Sequence, residues 1–283
     1  MKNCPYTIRS INRDEVDYAI DWAASEGWNP GLHDAACFYK ADPEGFLIGM
    51  LGDEPVACIS VVKYGTTFGF LGFYIVKPEY RGQGYGLEIW NAGMTRLKGR
   101  TVGLDGVIVQ QNNYKKSNFQ LAYRNIRHEG SGGGDHYSDS DIIELNSILF
   151  EDVAAYDKPF FPDDRKTFLK CWINQKEGTA LCIINAGKLS GYGVIRRCRK
   201  GYKIGPLFSD TPVSAEKLFL ALRATIPVGE PLFLDIPEVN QAALDLVDRH
   251  NMNVVFETAR MYTGNPPDLP VQKIYGVTTF ELG

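Results

Sequence analysis

The stretch Phe73-Tyr74-Ile75-Val76-Lys77-Pro78-Glu79-Tyr80-Arg81-Gly82-Gln83-Gly84-Tyr85-Gly86-Leu87 sets the fold of the first half of the chain. It connects an apolar run from Phe68 to Val76, typical of a buried strand, to a segment with helical spacing that begins near Gly84. Its three glycines at alternate positions let the backbone approach a ligand and turn N–H groups toward it. The positive end of the following helix dipole adds to this effect, so the stretch predicts an anion-binding loop suited to a pyrophosphate.

A G-x-G-x-G pattern alone is a weak signal, because glycine-rich turns between strands and helices also occur without any ligand. The spacing differs from the G-x-x-x-x-G-K-S/T of a P-loop. A dinucleotide-binding fold would need an acidic residue about twenty positions further on. Gln110 and Gln111 stand there instead. The sequence therefore disfavours both of these nucleotide-binding classes.

In its full context, Val76-x-Pro78-x-x-Arg81-Gly82-x-Gly84-x-Gly86 resembles the acetyl-CoA signature of the GNAT acetyltransferase superfamily, R/Q-x-x-G-x-G/A. The resemblance implies acetyl-CoA as the acyl donor and no metal. It further implies that the loop amides bind the CoA pyrophosphate, that the preceding strand binds the pantetheine, and that the Val76 backbone contacts the acetyl carbonyl. The predicted cofactor-binding residues are Tyr74, Ile75, Val76, Arg81, Gly82, Gln83, Gly84, Tyr85, Gly86 and Leu87.

A second segment, Tyr114-Lys115-Lys116-Ser117-Asn118-Phe119, resembles the Y-x-K-x-G-F of the same superfamily. By that resemblance Tyr114 is the general acid that protonates the departing thiolate, and a phenol with a pKa of about 10 suits this task. Asn118 replaces the usual glycine, which is tolerable because asparagine readily takes a left-handed conformation. The usual N-x-x-A before the tyrosine is absent, so a purely packing role for Tyr114 stays open.

The acceptor side is less well defined. The resemblance implies direct transfer to a primary amine of a small molecule or a protein, without a covalent enzyme intermediate. Trp28, Asn29 and Asp34 are the predicted substrate residues, since the segment between the first two helices commonly shapes the acceptor pocket in this family. No general base is identified: the candidates Glu26, Asp34, Asp53 and Glu54 are each more simply explained as solvated or capping carboxylates.

The whole chain of 283 residues, 44% hydrophobic, is large enough for two cores. It resembles two-domain proteins with an intact GNAT domain, here residues 1–135, and a divergent GNAT-like domain, here 136–283. The expected fold is therefore α/β (α+β): two tandem GNAT-like folds, each a mixed, mostly antiparallel sheet flanked by helices. The run Gly130-Ser131-Gly132-Gly133-Gly134 is expected to be a flexible boundary, Asp105 to Gln110 a strand, and Gly191-Tyr192-Gly193 a hairpin turn.

The second half lacks a phosphate-binding loop. Where the loop is expected, it carries Ile204-Gly205-Pro206-Leu207-Phe208-Ser209-Asp210-Thr211-Pro212. Prolines remove amide donors and Asp210 would repel a pyrophosphate, so we expect this half not to bind CoA. Its segments predict the order β-β-β-α-β-α-β, and its tail is expected to pack back on the body.

Charge and composition restrict the remaining possibilities. A formal charge of −4 offers no general attraction for polyanions, so nucleic acid is not expected as a partner. No signal-peptide pattern or long apolar run is present, which predicts a cytoplasmic protein without a membrane segment. The six cysteines and four histidines show no metal-ligand spacing. A homodimer and a non-catalytic sensor of acetyl-CoA or an amine remain open alternatives.

Overall fold

A computed structural model describes residues 5–134 and 139–283 of the chain. Its helices are α1 (Val16–Ser25), α2 (Asp34–Ala41), α3 (Tyr85–Arg96), α4 (Gln111–Lys116), α5 (Phe150–Asp157), α6 (Lys166–Trp172), α7 (Pro212–Ala224) and α8 (Gln241–Arg249). Its strands are β1 (Tyr6–Ser10), β2 (Phe46–Leu51), β3 (Glu54–Tyr64), β4 (Phe68–Val76), β5 (Thr101–Val107), β6 (Phe119–Ser131), β7 (Ile142–Glu144), β8 (Gly178–Asn185), β9 (Lys188–Arg197), β10 (Tyr202–Ser209), β11 (Pro231–Pro237), β12 (Asn253–Thr263) and β13 (Ile274–Gly276).

The described strands form one sheet in the order β1-β2-β3-β4-β5-β12-β6-β11-β10-β9-β8-β7, and β13 adds to β10. Only the pairs β4–β5 and β10–β11 are parallel among those described. The expected mixed, mostly antiparallel sheet with flanking helices is thus confirmed. The two expected sheets, however, are joined edge to edge into a single one.

The two halves exchange strands at this junction. Strand β12 of the second half lies between β5 and β6 of the first half, and β6 also pairs with β11. The glycine run was expected to be flexible, but its first two residues belong to β6. Gly132 and Gly133 donate backbone hydrogen bonds to Glu230 and Arg223. Strand pairing therefore overrides the composition of this segment. The predicted boundary between residues 135 and 136 lies outside the described residues.

Two further expectations placed an element at the wrong residues. The strand expected from Asp105 to Gln110 runs from Thr101 to Val107, because the apolar positions before Asp105 pair with β4 and β12. Gly191-Tyr192-Gly193 lies inside β9, and the turn falls at Ala186-Gly187, both with positive φ. The glycines there admit close neighbours: a Cβ on Gly193 would meet Leu222 at 2.7 Å. Gly191 and Gly193 are therefore explained by close packing of neighbouring atoms against β9, and not by a turn.

Helices cover both faces of the sheet. Helix α3 packs on β3 and β4, with Ile89 and Trp90 buried in a core that also contains Tyr114. On the opposite face, α1 and α2 share a core with α5 and α6, and α2 packs directly on α6. The second half has its own core under α7 and α8. The core under α1, α2, α5 and α6 is therefore shared by both halves, and the α3 core also contains Ala259 and Met261 of β12.

The C-terminal tail packs back on the body of the protein, as expected, and contacts both halves. The Tyr64 hydroxyl donates to the carbonyl of Leu282 at 3.1 Å, and the Arg165 guanidinium reaches the carbonyl of Gly283 at 3.5 Å. Gly72 in β4 accommodates the carbonyl oxygen of Glu281, which would lie 2.1 Å from a Cβ at that position. The tail thus ends beside the middle of β4.

Candidate active site

A cavity of about 600 Å³ opens where β4 and β5 separate. The two strands pair only from Phe68–Leu71 with Thr101–Leu104, so their C-terminal ends diverge. A bulge near Phe73, whose φ is +45°, re-aims β4 at this point. Both halves of the chain line the cavity; its walls include Glu26, Trp28, Tyr74, Val76, Arg81, Gly82, Gly84, Gly86, Leu87, Asp105, Tyr114, Phe256, Thr258, Phe280 and Glu281.

The glycine-rich loop forms one end of the cavity, at the start of α3. Gly82 and Gly84 have φ of +76° and +93°, a region that favours glycine, and Gly84 is the N-cap of α3. A Cβ on either glycine would find no atom within 4 Å. The loop surface therefore leaves room for a ligand beside the unpaired N–H groups of the first helical turn. An anionic group such as a pyrophosphate fits this site.

The end of β4 offers its backbone to the gap. The N–H of Lys77 donates to the carbonyl of Val56 at 2.9 Å, so the antiparallel alternation turns the amide and carbonyl of Val76 away from β3. The Arg81 Nε donates to that Val76 carbonyl at 2.9 Å, and its Nη2 pairs with Glu26. Arg81 thus fixes the strand end, while the Val76 N–H is directed into the gap.

Tyr114 lies below the gap, held by aromatic packing. Its ring stacks on Trp90 with centroids 5.6 Å apart, and it fills the space that a Cβ on Gly106 would occupy. Burial, with a smaller effect from Tyr74, raises the pKa of the Tyr114 phenol above its usual value. The phenol therefore keeps its proton at neutral pH and can donate it. Tyr114 lies on the short helix α4, although the usual N-x-x-A before the tyrosine is absent. Asn118 has the expected left-handed φ of +64°.

Several predicted residues do not face the cavity. Asn29 bonds the backbone of Lys200, and Asp34 is completely buried, where it pairs with Arg196 at 2.9 Å. These two residues, predicted to contact the substrate, instead connect the two halves. Gln83 bonds the carbonyl of Glu79 and Tyr85 packs on Tyr6, so their side chains also point elsewhere.

Among the candidate bases, only Glu26 lines the cavity, and its carboxylate is paired with Arg81. Glu54 bonds Lys77 and Tyr80 outside the cavity, and Asp53 is exposed in the turn before β3. Trp28, the third predicted substrate residue, does line the cavity.

Sequence reasoning did not identify which residues of the second half contribute to the cavity. Phe256 and Thr258 on β12, with Phe280 and Glu281 from the tail, complete the cavity wall. No motif marks these residues, and they are more than 130 positions from Tyr114. The one available signal was the single charged residue, Glu281, in the otherwise uncharged stretch from Ile274 to Gly283.

Comparison with known proteins agrees with this arrangement. Residues 11–119 match the model of the acetyltransferase (GNAT) family, and residues 153–276 match a second acetyltransferase (GNAT) domain model. Holothin acyltransferase from Pseudoalteromonas sp. (strain SANK 73390) is 33% identical over 279 residues, which are 98% of this chain and 95% of that protein.

Solved structures show the same architecture. The crystal structure of a putative acetyltransferase from Pyrococcus horikoshii matches with a TM-score of 0.83 and 26% identity, over 100% of this chain and 97% of that one. A tandem GNAT protein from the clavulanic acid biosynthesis pathway matches with a TM-score of 0.63 and 10% identity, over 93% and 100% of the two chains, and so shares the fold.

The fold and the site together define an acyltransferase built from two related domains. The chain belongs to the GNAT acetyltransferase family. Within the described residues, no helix is both long and apolar enough to cross a membrane.

Proposed function

We propose that this protein transfers an acetyl group from acetyl-CoA to a primary amine of a small molecule. The observation that carries the proposal is the gap between β4 and β5, which opens at the glycine-rich start of α3 and has Tyr114 at its base. When bound, acetyl-CoA would supply a thioester that is activated toward attack by an amine. The fit is supported by the open space at Gly82 and Gly84.

The residues of the chain divide the work of binding and proton transfer. The amides from Gly82 to Leu87 hold the pyrophosphate, since the N–H of Arg81 already donates to the Pro78 carbonyl at 3.3 Å, and the edge of β4 from Tyr74 to Val76 holds the pantetheine arm. The Val76 N–H polarises the acyl carbonyl, and the phenol of Tyr114 gives its proton to the leaving sulfur. Holding the two reactants close together in one cavity also accelerates the reaction.

The cavity favours a small acceptor over a protein. Its walls on the acceptor side are aromatic and come from three separate segments, at Trp28, Phe256 and Phe280. Such walls suit a compact apolar body. The relative named holothin acyltransferase acts on holothin, by its name, which makes holothin the first acceptor to test.

The test is calorimetric titration with acetyl-CoA, followed by a thiol-release screen with holothin and a panel of aliphatic and aromatic primary amines. We expect binding, and thiol release that requires one of the amines. Failure to bind acetyl-CoA would contradict the donor assignment. Binding without release from any amine would contradict the amine acceptor and favour a sensing role.

A further inference from the structure

Glu281 is a carboxylate on the cavity wall that the proposed donor site does not use. It is only 3% exposed, yet it lines the cavity. Its backbone packs against Gly72, two positions before Tyr74 in β4. The tail thereby brings an acidic side chain to the acceptor side of the strand that would hold the acyl group.

The tail holds this carboxylate in a defined orientation. The Thr279 hydroxyl donates to Oε2 of Glu281, and the Glu281 N–H donates to Thr279 Oγ1 at 3.2 Å. The N–H of Gly283 closes the turn on the Thr279 carbonyl at 3.2 Å. The other carboxylate oxygen, Oε1, accepts no hydrogen bond from the described residues. One oxygen is therefore anchored and the other is left for a ligand.

Three buried cationic side chains interact favourably with the carboxylate. Arg127, Arg196 and Lys203 all interact electrostatically with Glu281. The two arginines are already paired, with Asp235 and Asp34 respectively, and Lys203 donates to the carbonyl of Asn29 at 3.0 Å. Glu281 therefore has a favourable electrostatic environment without a direct salt bridge to any residue of 5–134 or 139–283 that would block it.

The aromatic walls beside Glu281 are also held in place. The Arg127 guanidinium lies 4.9 Å from the ring centre of Phe280 and 5.7 Å from that of Phe256. It also donates to the Trp28 carbonyl at 2.7 Å. One buried arginine thus fixes three segments of the acceptor wall, and a flat apolar body between them would present its amine toward Glu281.

We propose that Glu281 is the general base of the transfer reaction. This inference rests on the proposed function. The amine nitrogen forms a bond to the acyl carbon while the C–S bond breaks. One proton of the nitrogen passes to Oε1 of Glu281, and the sulfur takes a proton from Tyr114. Exchange with solvent then returns both groups to their starting states, so no proton is gained or lost overall.

Glu281→Gln tests this role, with Glu257→Gln as the matched control. Glu257 lies on β12 between the cavity residues Phe256 and Thr258, but its side chain forms a half-exposed pair with Arg124 outside the cavity. The acceptor is holothin, or the fastest amine of the screen if holothin is not acetylated. We measure kcat against pH, acetyl-CoA affinity, and affinity for the acceptor alone.

For Glu281→Gln we expect kcat at neutral pH to fall roughly 10²- to 10⁴-fold, the range of general base catalysis. Raising the pH should partly restore activity as the amine loses its own proton. Affinity for the acceptor alone should fall about tenfold or more, because a charged hydrogen bond is lost. Acetyl-CoA affinity should not change, and Glu257→Gln should resemble the wild type.

A Glu281→Gln variant with wild-type kcat and acceptor affinity would overturn the assignment while leaving the proposed function intact. A wild type that releases no thiol with any amine would contradict the proposed function itself. If Glu281→Gln no longer binds acetyl-CoA, its site is disrupted and Glu281→Asp is measured instead. That variant keeps the charge but shortens the reach, and an unchanged kcat would then overturn the proposal.

Discussion

At the scale of single residues, the site depends on side chains whose surroundings set their chemistry. The Tyr114 ring is held by stacking on Trp90, and burial, with a smaller effect from Tyr74, raises the pKa of its phenol above the ordinary value. Arg81 was expected to belong to the anion loop, yet its side chain holds the Val76 carbonyl and Glu26. Its backbone N–H donates to the carbonyl of Pro78 at 3.3 Å, so Arg81 fixes the loop through both its backbone and its guanidinium.

Replacement of Tyr114 by phenylalanine should separate catalysis from binding. The phenyl ring keeps the stacking on Trp90 but has no proton to donate, so kcat should fall roughly 10²- to 10⁴-fold with unchanged acetyl-CoA affinity. Tyr202→Phe is the control, because its hydroxyl accepts from Arg197 at 2.6 Å outside the cavity. Equal kcat in both variants, measured by thiol release, would remove Tyr114 from the mechanism.

The pH profile should carry a signature of the same phenol. Because the pKa of Tyr114 is raised, loss of the acid form requires a pH above the ordinary tyrosine value of about 10. We therefore expect no alkaline decline of kcat between pH 7 and about 9.5 in the wild type. A decline in that range that is absent from Tyr114→Phe would show that the phenol titrates lower than its burial implies.

At the scale of elements, the divergence of β4 from β5 and the start of α3 together form the cavity end where backbone groups are exposed. The bulge at Phe73 turns β4, the two strands stop pairing after Leu71, and the helix N-terminus faces the resulting gap. Backbone groups that a continuous sheet would pair are thereby left for a ligand. Glycine is needed at positions 82 and 84, because a side chain at either position would extend into the space proposed for the ligand.

Gly84→Leu should abolish acetyl-CoA binding measured by calorimetry, with an affinity loss of about 100-fold or more. The matched control is Gly99→Leu, at the other end of α3. Gly84 and Gly99 have φ of +93° and +84°, and a Cβ on either would find open space. Both variants pay a similar backbone strain of about 1–2 kcal/mol. Comparable affinity losses in the two variants would mean that strain, and not a filled ligand site, explains the effect.

At the scale of the whole molecule, the two halves are joined by shared strands and a shared core, so we expect them to unfold as one unit. Strand β12 is paired on both sides by strands of the first half, and the tail ends in the core shared by both. Buried ion pairs cross the same junction, with Arg127 on Asp235 and Arg196 on Asp34. The cavity, whose wall is assembled from both halves, therefore depends on this junction.

Asp235→Ala should cost about 3–5 kcal/mol of unfolding free energy, because it leaves the buried charge of Arg127 uncompensated. Glu257→Ala removes a half-exposed pair with Arg124 on the neighbouring strand and should cost less than about 1 kcal/mol. Denaturant unfolding, followed by circular dichroism, should show one transition in the wild type and both variants. Two separate transitions in the wild type would contradict a single folding unit.

The pH dependence of stability has a defined sign for this pair. Burial alone would raise the pKa of Asp235, but the charges of Arg127, Lys203 and Arg196 outweigh it and leave the pKa lowered. The stabilisation should therefore be present above the unfolded value of about 4 and be lost as the pH falls further. Wild type should lose more stability than Asp235→Ala between pH 5 and 3, measured by denaturant unfolding.

The sequence by itself determined the local parts of this protein: the strand, loop and helix from Phe68 to Arg96, the place of Tyr114, and the tandem order of elements. The strand, loop and helix follow from periodicity and glycine conformation, which act over a few residues, whereas the place of Tyr114 and the tandem order rested on the resemblance to the GNAT superfamily. Only the tertiary structure showed the exchange of strands at β12, the inward role of Asp34, and the arrival of Glu281 at the cavity. Those features depend on pairing and packing between segments more than a hundred residues apart, which no local pattern records.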